Sequence, residues 1–210
     1  MAAGKRNGFE SQSAKGAYGA KGAGCVPNLL RTVGTQRTVG TFGTIGTLLI
    51  LMTESLLHLL DEAFDRRSWH GTNLRGSIRG MPRAVAAWRS AADRHNIWEL
   101  VVHAAYWKYA VRRRLTGEKR GSFALVGSNW WRRPSENTDA EWKRDVTLLV
   151  EEHKALRGAV AIFPARTLSR TAPGSAFTYA ALIRGVAAHD LYHAGQIQLI
   201  KRLNPGAPVR

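Results

Sequence analysis

Apolar residues recur at three- and four-residue intervals in four separate stretches of the chain, and no run of strictly alternating positions accompanies them. The first stretch, about Glu54–Arg66, stacks Leu56, Leu57, Leu60 and Phe64 on one face. The second opens at Asn96, with Glu99 three residues on in the spacing of a capping box. It runs to Leu115 and stops at Gly117, with Arg112, Arg113 and Arg114 in the last turn, where cations suit the helix dipole. The third has the box Thr138–Glu141 and presents Trp142, Val146, Leu149, Leu156 and Val160 before Pro164 breaks it. The fourth starts near Thr178, turns Leu182, Val186, Ile197 and Ile200 inward, and ends at Leu203 before Asn204-Pro205-Gly206. Four amphipathic helices and no strands predict an all-α fold, a four-helix bundle.

Two long connectors interrupt this pattern. Arg67 to His95 carries Trp69-His70-Gly71 and a stretch from Pro82 to Trp88 that predicts a short helix. Gly117 to Asn137 carries Trp130-Trp131, placed to cover the bundle or a partner surface. Each tryptophan is expected, by default, to be a buried packing residue.

Ahead of the helices the text changes. Residues 1–51 hold 10 of the 21 glycines, no tryptophan and one acidic residue, Glu10, and repeat Thr-Val-Gly-Thr from Thr32 onward. Such a low-complexity segment is read as a flexible, basic, Gly/Thr-rich extension. Met52-Thr-Glu-Ser-Leu-Leu reads as a natural protein start, so residues 1–51 are taken as an over-called upstream segment and residues 52–210 as the domain. The net charge is +16, from 31 Lys+Arg against 15 Asp+Glu. Six basic residues and one acidic residue lie in 1–51, so most of the excess belongs to the domain. One cysteine, Cys25, excludes an internal disulfide, a Cys-rich zinc site and a dithiol redox motif. No apolar run approaches the ~20 residues of a membrane span, and the chain reads as soluble and cytoplasmic.

Chemistry is concentrated in the histidines. His189 and His193 stand at i and i+4 in the fourth helix, continue its apolar stripe, and can chelate one metal ion from one face. The competing reading is a pair of hydrogen-bonded core histidines, since buried imidazoles need partners either way. His103, mid-way along the second helix, should also point inward and makes a third ligand if those helices are neighbours. His153 is an alternative or fourth ligand, although Glu151, Glu152 and Lys154 suggest a boundary position.

The chain resembles the DinB-like (DinB/YfiT) superfamily, metal-dependent four-helix-bundle proteins, over residues 53–203. The resemblance lies in Trp69-His70-Gly71, in Trp98-Glu99-Leu100-Val101-Val102-His103 with Tyr106-Trp107, and in Ala188-His189-Asp190-Leu191-Tyr192-His193-Ala194-Gly195-Gln196-Ile197. It implies that His103, His189 and His193 bind a divalent ion, zinc or nickel. It also implies metal-dependent hydrolysis, or transfer of a low-molecular-weight thiol to a small-molecule electrophile, and pairing as a homodimer.

Three imidazoles leave coordination positions open, the layout of a catalytic site. Candidates around them are Asp190 and Gln196 to orient an imidazole, Tyr192 and Gln196 to bond a substrate, and His70 at the mouth. Glu99 is read first as a capping residue, with general base as its alternative. A different class competes. Arg112–Arg114, Lys119-Arg120 and Arg132-Arg133 suit non-specific nucleic-acid binding, or the bundle is a protein-interaction module with a structural metal or none. No helix-turn-helix, zinc-finger or RNA-recognition signature supports that class.

Overall fold

Helix starts are set by side chains that accept the otherwise unpaired first-turn N–H groups. Asn96 accepts from the Glu99 N–H, Thr138 from Glu141 and Thr178 from Ala181. In a computed structural model, which describes residues 41–206 except Ser128 and Ser135, these caps open three of the four long helices. The elements are α1 (Thr41–Phe64), α2 (Leu74–Ser77), α3 (Arg83–Ala87), α4 (Ile97–Thr116), α5 (Asp139–Ile162) and α6 (Tyr179–Leu203). Among the described residues there is no strand, only an isolated antiparallel bridge between Thr171 and Thr178. No helix among them is long and apolar enough to cross a membrane.

The expected termini are found at α4, α5 and α6. Gly117 ends α4 at φ 76°, a left-handed conformation that glycine adopts without a Cβ clash. Thr138 and Glu141 close a reciprocal capping box. The expectation for α1 is corrected: it begins at Thr41, well before Glu54, and ends at Phe64. The boundary at 51/52 therefore falls inside a helix. Ile45, Leu48, Ile50 and Leu51 on this added part are exposed. The rest of the expected extension, residues 1–40, lies outside the described residues.

The long helices form a closed ring of neighbours: α4 packs on α5 and α6, and α1 packs on the same two. That is the arrangement of a four-helix bundle, with α1 facing α4 and α5 facing α6 across the core. One half of the core gathers Phe64, Trp98, Val101, Leu149 and Ile197, the other Leu60, Leu156, Ile183 and Val186. Burying each such aliphatic or aromatic side chain is worth about 1.5–3 kcal/mol. Trp98 and Trp142 are buried and find acceptors, Asp145 Oδ2 at 2.7 Å and the Met81 carbonyl at 3.0 Å. Trp69, Trp107 and Trp130 correct the expectation of buried tryptophans: all three are exposed, Trp69 completely. α3 is the short helix expected after Pro82, whereas the one-turn α2, capped by Asn73, has no periodic signal to announce it.

Candidate metal centre

Residues near His103 on α4 meet residues near His189 and His193 on α6, and higher numbers on α4 meet lower ones on α6, so the two helices run antiparallel. The three imidazoles converge. His189 Nε2 lies 3.1 Å from His103 Nε2 and 2.9 Å from His193 Nε2. These are the ligand atoms that could share one ion.

Protonation states follow from the outer nitrogens. His103 Nδ1 is 2.7 Å from the Asn129 carbonyl oxygen, and His193 Nδ1 is 2.7 Å from Gln196 Oε1. Both partners accept, so both rings carry their proton on Nδ1 and turn a bare Nε2 lone pair to the centre. His189 has a single ring proton when neutral. On Nε2 that proton serves one neighbour only; on Nδ1 it is buried without a partner. Either way at least one lone pair faces another. A cation relieves all of them, and nitrogens bound to one ion at about 2.0–2.1 Å stand about 2.9–3.4 Å apart at right to tetrahedral angles. The donor set therefore fits a divalent metal.

Burial is the main cause that keeps these rings neutral. It lowers His103 from its ordinary pKa, His193 to about 4 and His189 to about 3, with neighbouring imidazoles adding to the effect on His189. Neutral imidazole is the form that binds metal.

The surroundings sort the other candidates. Gln196 lies against the outer nitrogen of His193, its Oε1 2.7 Å from Nδ1. Asp190 is corrected: it is wholly buried and pairs with Lys108 of α4, and no imidazole hydrogen-bonds to it. Glu99 is corrected in both of its readings. Its carboxylate takes the Arg89 guanidinium, the Arg133 N–H at 2.9 Å and His95 Nδ1 at 3.0 Å, rather than the Asn96 N–H. Burial pushes Glu99 up, but those three donors outweigh it and bring it to about 2, too acidic for a general base. Tyr192 is exposed with its ring 5.2 Å from that of His193. His70 is exposed beside Ser68 and stands outside the cluster. His153 is buried, against its expected boundary position, but stacks on Phe64 with ring centroids 3.8 Å apart and takes no part. Two of the arginines behind the nucleic-acid reading are engaged internally, Arg112 by Glu118 and Glu152, and Arg133 by Asp145.

Two contributors, Asn129 and Lys108, escaped the sequence reading, and Trp130 was read only as a cover for the bundle or a partner surface. Asn129, at φ 67°, supplies its carbonyl to His103 and its side-chain oxygen to Trp107 Nε1 at 3.0 Å. Asparagine tolerates that left-handed conformation, so Gly127-Ser-Asn129 was a turn signal of a kind. Trp130 is sandwiched between His95 and His103, at centroid separations of 3.7 and 3.8 Å, and shields one face of the His103 ring. Lys108, a lone cation amid the apolar positions of α4, was the visible sign of a buried partner.

A cavity of about 720 Å³ opens beside His103 and His189. Its volume falls in the range of small-molecule sites.

Compared with known proteins, residues 66–197 match the family model described as the DinB superfamily. No curated protein and no solved structure matches the chain.

Proposed function

The chain belongs to the DinB superfamily, and from that premise we propose that His103, His189 and His193 hold a divalent ion, zinc or nickel, in a metal-dependent enzyme of the cytoplasm. The reaction is hydrolysis or transfer of a low-molecular-weight thiol to a small electrophile. The observation that carries the reading is the convergence of three Nε2 atoms, two with tautomers set by Asn129 and Gln196, beside an open cavity that His103 and His189 line. An ion held there would lower the pKa of a bound water toward ~7 or ionise a bound thiol. The protein's own groups prepare that chemistry. The Asn129 carbonyl and Gln196 hold two rings in the ligating tautomer, and Trp130 excludes water from one side of His103. Cys25 is the sole cysteine and the bundle contains none, so a reacting thiol arrives as a cosubstrate.

Metal analysis of the purified full chain and of His189→Ala tests the ligation. The expected result is a stoichiometric divalent ion in the first and its loss in the second. Unchanged metal content in His189→Ala sinks the proposal. A screen for hydrolysis and thiol transfer, with and without the ion, then separates the two reactions.

A further inference from the structure

The cavity beside the imidazoles is a groove between α4 and α6, and its two ends differ chemically. Along α4 it is lined by His103, Trp107, Val111 and Arg114, spaced by four, four and three residues, hence on one face. Along α6 its wall includes Gly185, whose missing side chain leaves open space: a Cβ built there meets nothing within 4 Å. The walls are mainly apolar, and Phe177 stands 62% exposed at the rim. From His103 to Arg114 the α4 wall extends about 16 Å, at 1.5 Å per residue.

Arg114 is the charged residue of this lining, and it has no carboxylate bonded to it among the described residues. Its neighbour Arg112 has two, Glu118 and Glu152. One Arg114 nitrogen, Nη1, donates to the Ala110 carbonyl at 2.8 Å. That bond anchors the guanidinium to the helix and leaves its Nε–Nη2 edge, the edge that takes a carboxylate in a two-bond fork, without a described partner. Burial lowers the Arg114 pKa, and Arg113 and Arg120 add repulsion. An anion would relieve that repulsion.

We propose that this groove binds elongated, largely apolar carboxylates, with the carboxylate on Arg114, the apolar body along Trp107 and Val111, and the far end of the molecule at His103 and His189. The proposal rests on the metal-site reading only for what happens at that far end. The anion specificity belongs to Arg114 alone. The substrate class is thus one whose reactive group lies remote from its carboxylate.

Calorimetry with decanoate, decanol and decyltrimethylammonium, on the full chain as purified and after chelation, tests this. Decanoate should bind at least about tenfold more tightly than decanol, the value of one good charge-assisted pair. The ammonium should not bind. Arg114→Gln should remove the preference for decanoate without changing metal content. Gly185→Phe should fill the groove and abolish binding of both, with the fold checked by circular dichroism; if it unfolds, Arg114→Gln still decides. Equal binding of decanoate and decanol overturns the assignment, as does no binding of any probe. So does decanoate binding that survives Arg114→Gln but not chelation, which would put the carboxylate on the ion instead. A protein that lacks metal yet keeps the Arg114-dependent preference would refute the metal reading and leave this one standing.

Discussion

Replacing Lys108 with methionine isolates one buried carboxylate. Lys108 and Asp190 are both wholly buried and bonded to each other across α4 and α6. Burial pushes Asp190 up to about 6 and Lys108 down, while each opposes the other's shift. Methionine keeps the bulk of the lysine stem over the Phe64 ring, where the ammonium now sits 4.8 Å from the centroid. Without the ammonium, Asp190 takes up a proton rather than stay charged. Its folded pKa then lies far above the unfolded value of about 3.9, so the variant's stability is unaffected below that value and falls as pH rises. Wild-type Asp190, already raised to about 6, carries the same loss up to that pH, so the extra cost of the variant is close to zero at pH 5, about 1.4 kcal/mol at pH 7, and grows by about 1.4 kcal/mol per pH unit beyond. Urea unfolding at both pH values, in chelator so that metal does not contribute, measures it. Lys108→Met combined with Asp190→Leu should recover most of the loss, because neither charge is then buried. A cost for Lys108→Met below about 1 kcal/mol at pH 7, or one independent of pH, would refute the reasoning.

Three further outcomes are expected. Gln196→Ala should weaken zinc affinity by about 10–100-fold with little change in thermal stability, because the His193 tautomer loses its acceptor; competition with a chromogenic chelator checks it. Metal-free protein should lose stability as pH falls below about 6.5, because unfolded histidines take up protons that the buried rings, depressed to about 3 for His153 and His189 and about 4 for His193, refuse. Each ring contributes about 1.4 kcal/mol of loss by pH 5.5. His153→Leu should remove one ring's share of that slope, and zinc should not restore it, since His153 is outside the cluster.

Three helix starts, the stop at Gly117 and the inward stripes were determined by local sequence. Caps, a left-handed glycine and a 3.6-residue period act within a few residues of themselves. The i, i+4 spacing of His189 and His193 put two imidazoles on one face for the same reason. Which side chain meets them was decided by helix packing. His103 reaches the pair because α4 and α6 are antiparallel neighbours in the ring, and Asn129 and Trp130 reach His103 because a connector folds back over the bundle. The same packing took Glu99 from its own helix end to Arg89 and Arg133, and turned Asp190 to Lys108 instead of to an imidazole. A carboxylate's role depends on the charge that burial brings beside it, and residues distant in the chain supply that charge. Local pattern has no access to that information, so the sequence determined three of the long helices and the i, i+4 histidine pair, and only the tertiary structure decided their partners.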